Sequence, residues 1–243
     1  MKKLAAKSGA RGRALPEKGP DRDLFRTPAG AGAPGTHVAT AIRAVVFDFG
    51  GVLVDWNPRH LYRKLFRGDD QAMELFLAEI GFAEWNLQQD MGRDFAAAVA
   101  ELAGRFPHHA ELIRAYDERW EESILGPIQT AVDLLRPLKR AGHEIHGLSN
   151  WSSEKFALAR AKYRFFERFD SILISGDVRL AKPDPQIFAV LLQRIGRTAG
   201  ECLFVDDSEP NIVVAQTLGF HAVRFNTPAQ LRNELQRREL LGA

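Results

Sequence analysis

The order of apolar and polar residues changes after residue 40, where a buried-type strand is predicted. The continuous apolar run Val45-Val46-Phe47 ends at Asp48, and two glycines then turn the chain before apolar residues resume. A continuous run of β-forming residues is typical of a strand buried on both faces of a parallel sheet. The pattern therefore predicts a buried strand with a carboxylate at its C-terminal end, where open α/β sheets bind ligands.

The next stretch, from Pro58 to about Leu125, has helical apolar spacing and no convincing strand. A helical block of roughly 70 residues is too long for an ordinary loop and is typical of an inserted domain. We therefore predict a core interrupted by an all-helical cap domain, with the core at residues 41–55 and 126–243 and the cap at residues 56–125.

Strand-like and helix-like segments alternate after Gly126. The first predicted helix of this part spans Ile128 to Ala141. The predicted strands that follow are His143–Leu148, Phe169–Ile174, Cys202–Val205 and His221–Phe225. Alternation at this spacing is typical of a doubly wound, Rossmann-like parallel sheet, so the predicted fold class is α/β.

Polar residues whose side chains can take part in catalysis or binding follow these strands. Ser149-Asn150 and Asp206-Asp207 end two of them, as Asp48 ends the first, and Lys182 lies in the loop after Ile174. Parallel strands bring their C-terminal ends to one edge of the sheet, so these groups should converge. Each has an ordinary alternative, such as a helix N-cap or a surface lysine. Their recurrence on successive strands favours a functional site.

Convergence would bring three carboxylates together, and such a cluster repels itself unless protons or a cation intervene. Carboxylate oxygens and a backbone carbonyl suit Mg²⁺. Ser149 and Asn150 could hold an anionic oxygen, and Lys182 could neutralise a nucleophile or a phosphoryl group. Trp151, directly after Asn150, is predicted at the substrate mouth.

Four motifs in order resemble those of the haloacid dehalogenase superfamily. They are Phe47-Asp48-Phe49-Gly50-Gly51-Val52-Leu53, Leu148-Ser149-Asn150, Lys182-Pro183-Asp184-Pro185 and Phe204-Val205-Asp206-Asp207-Ser208. The resemblance implies a Rossmann-like core with a helical cap, and a nucleophile at Asp48. It also implies Mg²⁺ held by Asp48, the Gly50 carbonyl and Asp207. Asp206 would be a further ligand or a residue that contacts a ligand. Asp48 to Asp55 looks most like the branch of sugar-phosphate phosphatases that act on glucose 1-phosphate.

Gly50 departs from the pattern of most phosphatases that this chain resembles, which carry a second Asp there as general acid and base. Such a group contributes about 10²–10⁴ in rate. Three interpretations stay open. The leaving group needs little protonation, another residue such as Asp55 or a cap side chain substitutes, or the leaving group is a halide.

The last interpretation is a metal-independent 2-haloacid dehalogenase, in which Asp48 displaces halide and water hydrolyses the ester. Asp206-Asp207 argue against it, because dehalogenases that resemble this family typically lack the acidic pair and because it would repel an anionic haloacid. A weakly active or non-catalytic binding protein is the third hypothesis. The favoured one is a Mg²⁺-dependent phosphatase for a small phosphorylated metabolite.

Charge and composition narrow the remaining classes. Residues 1–40 carry eight basic and three acidic residues, a net charge of +5, and the remainder carries −3. We predict a disordered basic extension there, with a transit peptide as the alternative. No apolar run approaches the roughly 20 residues of a membrane span, and the charge pattern favours no nucleic-acid partner. Cys202, the single cysteine, fits a reducing cytoplasm.

Several weaker candidates lie in the predicted cap. Glu84-Trp85-Asn86 and Gly92-Arg93 are candidates for the face that covers the site, while core packing is expected of Trp56, Trp85 and Trp120. The adjacent pair His108-His109 is expected to point apart and so to form no metal site.

Overall fold

The computed structural model describes residues 41–241. The extension predicted for residues 1–40 lies outside the described residues. No helix of the described range is long and apolar enough to cross a membrane.

A five-stranded parallel sheet forms the centre of the described chain. Its strands are β1 (Ala44–Phe47), β4 (Glu144–Ser149), β5 (Ser171–Ile174), β6 (Cys202–Asp206) and β7 (His221–Arg224). The strand order is β5-β4-β1-β6-β7, and every neighbouring pair is parallel. The chain winds outward from β1 in one direction and then in the other. This order confirms the predicted doubly wound α/β sheet and leaves a crevice at the C-terminal ends of its central strands.

Both faces of the sheet are covered by helices, as the continuous apolar runs predict. Val45 and Phe47 of β1 belong to one hydrophobic cluster and Ala44 and Val46 to a second one, and all four side chains are fully buried. Among the helices after residue 128, four contribute buried residues to the first cluster: α6 (Gln129–Val132), α7 (Leu135–Arg140), α8 (Ser153–Lys162) and α12 (Pro228–Arg237). The second cluster is built on α10 (Pro185–Ile195) and α11 (Glu209–Thr217), and the short α9 (Ser175–Val178) follows β5.

A helical insertion separates β1 from the rest of the sheet. It comprises α1 (Pro58–Leu65), α2 (Asp70–Glu79), α3 (Phe82–Asp90), α4 (Phe95–Arg105) and α5 (Ala110–Glu118), with 3₁₀ turns at Pro107–His109 and Trp120–Ser123. Its interior is aromatic: the ring centroids of Tyr62 and Phe76 are 5.0 Å apart, and those of Phe82 and Tyr116 are 4.9 Å apart. Aromatic side chains bury large apolar areas, and these residues belong to the same hydrophobic cluster as Val45 and Phe47 of β1.

Two short strands flank the insertion. The second begins at Ile124, so it corrects the expectation that the stretch from Pro58 to about Leu125 contains no strand. β2 (Val54–Trp56) pairs antiparallel with β3 (Ile124–Pro127), and Asp55 lies opposite Gly126. The pairing joins segments about 70 residues apart, so no local pattern signals it. The ribbon brings the two ends of the insertion together beside the C-terminal end of β1.

Two predicted elements have different bounds in the structure. The single helix predicted at Ile128–Ala141 is divided into α6 and α7, because Pro137 has no N–H to donate to the carbonyl group of Asp133. The strand predicted at Phe169–Ile174 begins at Ser171, after a 3₁₀ turn at Arg164–Arg168.

Candidate active site

Asp48 lies directly after β1, and its backbone continues the sheet. Its N–H donates to the carbonyl oxygen of Val205 on β6 at 2.9 Å. The N–H of Phe49 donates to Oδ1 of Asp48 at 2.7 Å, and the Asp48 side chain is only 12% exposed. The carboxylate therefore has one oxygen held by the backbone at the sheet edge where the motifs were predicted to meet.

The glycine turn after Asp48 lets a second carboxylate approach. Gly51 has a φ of +72°, a conformation that side chains rarely adopt, and a Cβ atom there would overlap the carboxylate of Asp207. Gly50 differs, since a Cβ atom at that position would have no neighbour within 4 Å. The turn thus requires glycine at 51 for the approach of Asp207, whereas the space beside Gly50 is open.

Lys182 lies between two carboxylates from different strands. Its Nζ is 3.0 Å from Oδ1 of Asp48 and 2.5 Å from Oδ2 of Asp206, and its side chain is 1% exposed. A buried ammonium group is tolerated only when it is paired. The loop after β5 therefore brings a single charge that partly neutralises both acids.

Asp206 is fully buried, and its oxygens are occupied by protein donors. Oδ1 accepts from the Ser208 N–H at 2.8 Å and from Nδ2 of Asn211 at 3.0 Å, while Oδ2 accepts from Lys182. Asp207 is exposed by comparison. Asp207 therefore presents its carboxylate to the site, while Asp206 holds Lys182 in place.

The three carboxylates form a cluster whose charge is incompletely balanced. Oxygen atoms of Asp48, Asp206 and Asp207 lie within 4.8 Å of one another. Burial, together with the neighbouring Asp206, raises the pKa of Asp48 to about 7 despite the opposing effect of Lys182. Burial and Asp206 also raise the pKa of Asp207. The raised pKa values reflect burial and the repulsion between these closely spaced carboxylates. A divalent cation that prefers oxygen ligands, such as Mg²⁺, fits such a cluster because it would neutralise it.

Ser149 and Asn150 end β4 beside this cluster, but their polar groups already have partners. A hydrogen bond from Ser149 lowers the pKa of Asp48, against the dominant effect of burial. The Asn150 amide donates to the carbonyl oxygen of Lys182 at 2.9 Å and accepts from its N–H at 2.8 Å. Asn150 thereby holds the loop that carries Lys182. The expectation that its amide binds a phosphoryl oxygen stays a prediction, and the structure gives that amide another partner.

A cavity of about 50 Å³ lies between the sheet edge and the helical insertion. Its lining residues are Gly50, Trp56, Asn86, Asp90, Phe95, Tyr116, Trp120, Asn150, Trp151 and Ser152. Trp151, predicted at the substrate mouth, is among them, and so are Trp56 and Trp120. Asp55 is not, and its Oδ1 instead contacts Nε2 of His60 at 2.8 Å. The cavity is mainly aromatic with a few polar groups, as is common for small-molecule sites.

Comparison with known proteins assigns the family. A family model described as haloacid dehalogenase-like hydrolase matches residues 42–219. The chain belongs to this family.

Relatives of this haloacid dehalogenase-like hydrolase include both phosphatases and dehalogenases. The sesquiterpene phosphatase astK of Aspergillus oryzae is 26% identical over 211 residues, which cover 84% of this chain and 100% of the relative. The (S)-2-haloacid dehalogenase 4A of Burkholderia cepacia is 30% identical over 142 residues, 58% of each chain. A HAD family enzyme of Bacteroides thetaiotaomicron, solved with magnesium and inorganic phosphate, is 26% identical. Its TM-score is 0.59, with 76% of this chain and 95% of that one covered.

Asp90 is the site residue that sequence reasoning missed in this hydrolase. Asn86 was identified as part of a possible covering face, and Asp90 lies four residues later on α3, so both side chains project from one side of the helix. Nδ2 of Asn86 donates to Oδ2 of Asp90 at 3.0 Å. Helical spacing from Asn86 was the signal that could have found it.

The adjacent histidines of the insertion do not point apart as expected. Nε2 of His108 lies 3.0 Å from one carboxylate oxygen of Glu79, and Nε2 of His109 lies 3.1 Å from the other. The 3₁₀ turn at Pro107–His109 replaces the α-helical geometry on which the expectation rested. Hydrogen bonds from both histidines lower the pKa of Glu79, and this cluster lies on the surface of the insertion, apart from the residues that line the cavity.

Proposed function

We propose that this chain is a Mg²⁺-dependent phosphatase that hydrolyses a small phosphorylated metabolite through an aspartyl-phosphate intermediate on Asp48. The observation that carries the proposal is the arrangement of Asp48, Asp206 and Asp207 around Lys182 at the C-terminal edge of the sheet. The relatives support phosphoryl chemistry, since they include a sesquiterpene phosphatase and an enzyme solved with magnesium and phosphate. The proposed metabolite could be a sugar phosphate, in keeping with the resemblance to glucose-1-phosphatase-like enzymes.

In the proposed reaction Asp48 is the nucleophile. One carboxylate oxygen attacks phosphorus, the bond to the leaving-group oxygen breaks, and water later hydrolyses the acyl phosphate. The hydrogen bond from the Phe49 N–H and the ion pair with Lys182 hold Oδ1 and so orient the carboxylate. Lys182 also offsets negative charge on the transferring group.

The cation would be held by Asp48, the main-chain carbonyl of Gly50 and Asp207, with Asp206 behind them. When bound, Mg²⁺ would neutralise phosphoryl oxygens and the clustered carboxylates. Asp206 keeps Lys182 in position through its hydrogen-bonded oxygens, and Asn150 holds the Lys182 backbone. These two residues would therefore act on the reaction by positioning the lysine.

We propose further that helices α1–α5 act as a cap over the sheet edge. They supply Asn86, Asp90, Phe95 and Tyr116 to the cavity that Gly50 also lines. Such a cap would exclude water from the reacting groups and select the leaving group by shape.

The test is phosphate release from an aryl phosphate by the purified chain, with Mg²⁺ and after chelation. We expect activity that requires Mg²⁺ and is lost in Asp48→Asn, which keeps the size of the side chain but removes the nucleophile. Activity indifferent to both changes would contradict the proposal. Chloride release from 2-chloropropionate that survives chelation would instead identify a dehalogenase, and ligand binding without turnover of any ester would identify a binding protein.

A further inference from the structure

The proposed phosphatase needs a proton for its leaving group, and the glycine at position 50 cannot supply one. An alkoxide is a poor leaving group, and protonation by a positioned acid is worth about 10²–10⁴ in rate. The backbone at Gly50 has open space where a side chain would be. For an alkoxide leaving group, the proton donor has to come from elsewhere in the chain and reach the space beside Gly50.

Asp90 reaches that space from the helical insertion. It is the last residue of α3, and it lines the same cavity as Gly50. Its Oδ2 accepts from the Asn86 amide at 3.0 Å, and Asn86 in turn accepts from the Tyr116 hydroxyl at 3.1 Å. The backbone N–H of Ser152 also donates to the Asp90 carboxyl group. Hydrogen bonds from Asn86 and Ser152 thus hold this carboxyl group in the cavity that Gly50 also lines.

The main chain at Asp90 is attached to the core as well. Its carbonyl oxygen accepts a hydrogen bond from Oγ of Ser175, the residue that follows β5. Two residues later, a Cβ atom on Gly92 would lie 2.8 Å from the carbonyl oxygen of Gly176, and the φ of Gly92 is +86°. Only glycine permits this close approach of the insertion to the core. The position of Asp90 is therefore set by contacts on both sides of the cavity.

The surroundings of Asp90 favour the protonated form of its carboxyl group. Burial, with a smaller contribution from the charge of Asp48 on β1, raises its pKa to about 7, although the Ser152 hydrogen bond opposes the shift. Tyr116, on α5, stays neutral because burial raises its pKa well above the ordinary value. Among the described residues that line the cavity there is no lysine, arginine or histidine. An acid with a pKa near the working pH can both give and take a proton.

Resting on the proposed phosphatase function, we propose that Asp90 is the general acid and base that replaces the missing residue at position 50. As Asp48 attacks phosphorus, the electron pair of the breaking bond stays on the leaving-group oxygen, which takes the proton of Asp90. The alcohol departs and Asp90 is left ionised. Water then attacks the acyl phosphate and gives a proton to Asp90, which restores the acid, frees Asp48 and releases phosphate.

The test compares Asp90→Asn with the native chain on para-substituted phenyl phosphates, from nitro to methoxy, in Mg²⁺. Asparagine keeps the acceptor for Ser152 but cannot donate an acidic proton. We expect kcat/KM to fall less than about tenfold for the nitro ester, whose phenolate leaves unprotonated, and at least about 100-fold for the methoxy ester. The alkaline limb of the pH profile near 7 should disappear. Glu111→Gln, which changes an exposed acid on α5 of the same insertion, should alter neither result.

A second variant separates chemistry from folding. Gly50→Asp introduced into Asp90→Asn places a carboxyl group in the open space at position 50. On the methoxy ester, kcat/KM of this double variant should be at least about tenfold higher than that of Asp90→Asn. A loss equal for all esters, without rescue, would overturn the role of Asp90. No hydrolysis by the native chain, or activity unchanged in Asp48→Asn, would overturn the proposed function itself.

Discussion

Lys182→Met tests the electrostatic balance of the candidate site. Methionine keeps the apolar length of the side chain and removes its charge. Lys182 is the cation that contacts both Asp48, at 3.0 Å, and Asp206, at 2.5 Å, in a place where its side chain is 1% exposed. The substitution therefore leaves two carboxylates that are almost wholly buried without their shared partner.

The expected magnitude follows from these distances. At 3.0 Å and an effective dielectric constant of about 20, one ion pair is worth about 5.5 kcal/mol before desolvation. Methionine avoids the unfavourable desolvation free energy of a buried ammonium group, which offsets part of that loss. Removal of one member of a buried pair typically costs about 3–5 kcal/mol, because the other charge stays buried. We expect a decrease of this size in the free energy of unfolding.

The assay is urea unfolding at pH 8 in the presence of a chelator, followed by tryptophan fluorescence. Lys162→Met is the matched control, because Nζ of Lys162 lies 3.3 Å from Oε1 of Glu121 and its side chain is 49% exposed. Exposed pairs contribute less than about 1 kcal/mol, so this variant should stay near the native value.

Two further measurements test the same balance of charge. Lys182→Met combined with Asp206→Asn should regain part of the lost stability, because one unpaired charge is removed. The deficit of the single variant should also shrink between pH 8 and pH 5, as Asp48 takes up a proton. If Lys182→Met unfolds within about 1 kcal/mol of the native chain and matches the Lys162 control, the balance inferred here is wrong.

Gly147, Asp90 and the proposed cation site each give a further expected outcome. Gly147→Ala should lower the free energy of unfolding by about 1–3 kcal/mol in urea, because its Cβ atom would overlap the ring of Phe49. In the presence of a chelator, Asp90→Asn should have a higher free energy of unfolding than the native chain at pH 8 but not at pH 4. The pKa of Asp90 is raised from 3.8 to about 7, so the folded chain holds more protons than the unfolded one and loses stability as pH rises through that window. Mg²⁺ affinity, measured by calorimetry, should fall up to about tenfold per pH unit below 7, because the cation displaces the proton of Asp48.

Each of these has its own control or contrary outcome. Gly104→Ala, in helix α4 with no atom within 4 Å of the added carbon, should be neutral or stabilising, and equal effects at the two glycines would argue against overlap. Parallel pH profiles for Asp90→Asn and the native chain would show that Asp90 has an ordinary pKa. If Mg²⁺ affinity does not change between pH 5 and 8, the pKa of Asp48 is ordinary as well.

Local sequence patterns predicted much of the sheet because burial acts on each strand separately. The apolar run before Asp48 and the run ending at Asp206 excluded water on both faces, so each could be recognised without knowledge of its neighbours. The ribbon of β2 and β3 escaped prediction because its stability comes from pairing between Asp55 and Gly126, which are far apart in the sequence. The break between α6 and α7 was missed although Pro137 offered a local signal for it.

The candidate site divides in the same way. Parallel strands necessarily bring their C-terminal ends together, so the sequence alone determined that Asp48, Lys182 and the Asp206-Asp207 pair would meet. It did not determine which partners those groups would choose. Asn150 pairs with the Lys182 backbone, and Asp206 is saturated while Asp207 is exposed.

Only the tertiary structure decided how the helical insertion meets the sheet. The proximity of Asp90 to the space beside Gly50 depends on the fit of Gly92 against Gly176, contacts between segments about 85 residues apart. The physical reason is that an apolar pattern records which side of an element avoids water, and that property is local. The partner of a polar group depends on the packing of distant elements, and no single stretch of this chain encodes it.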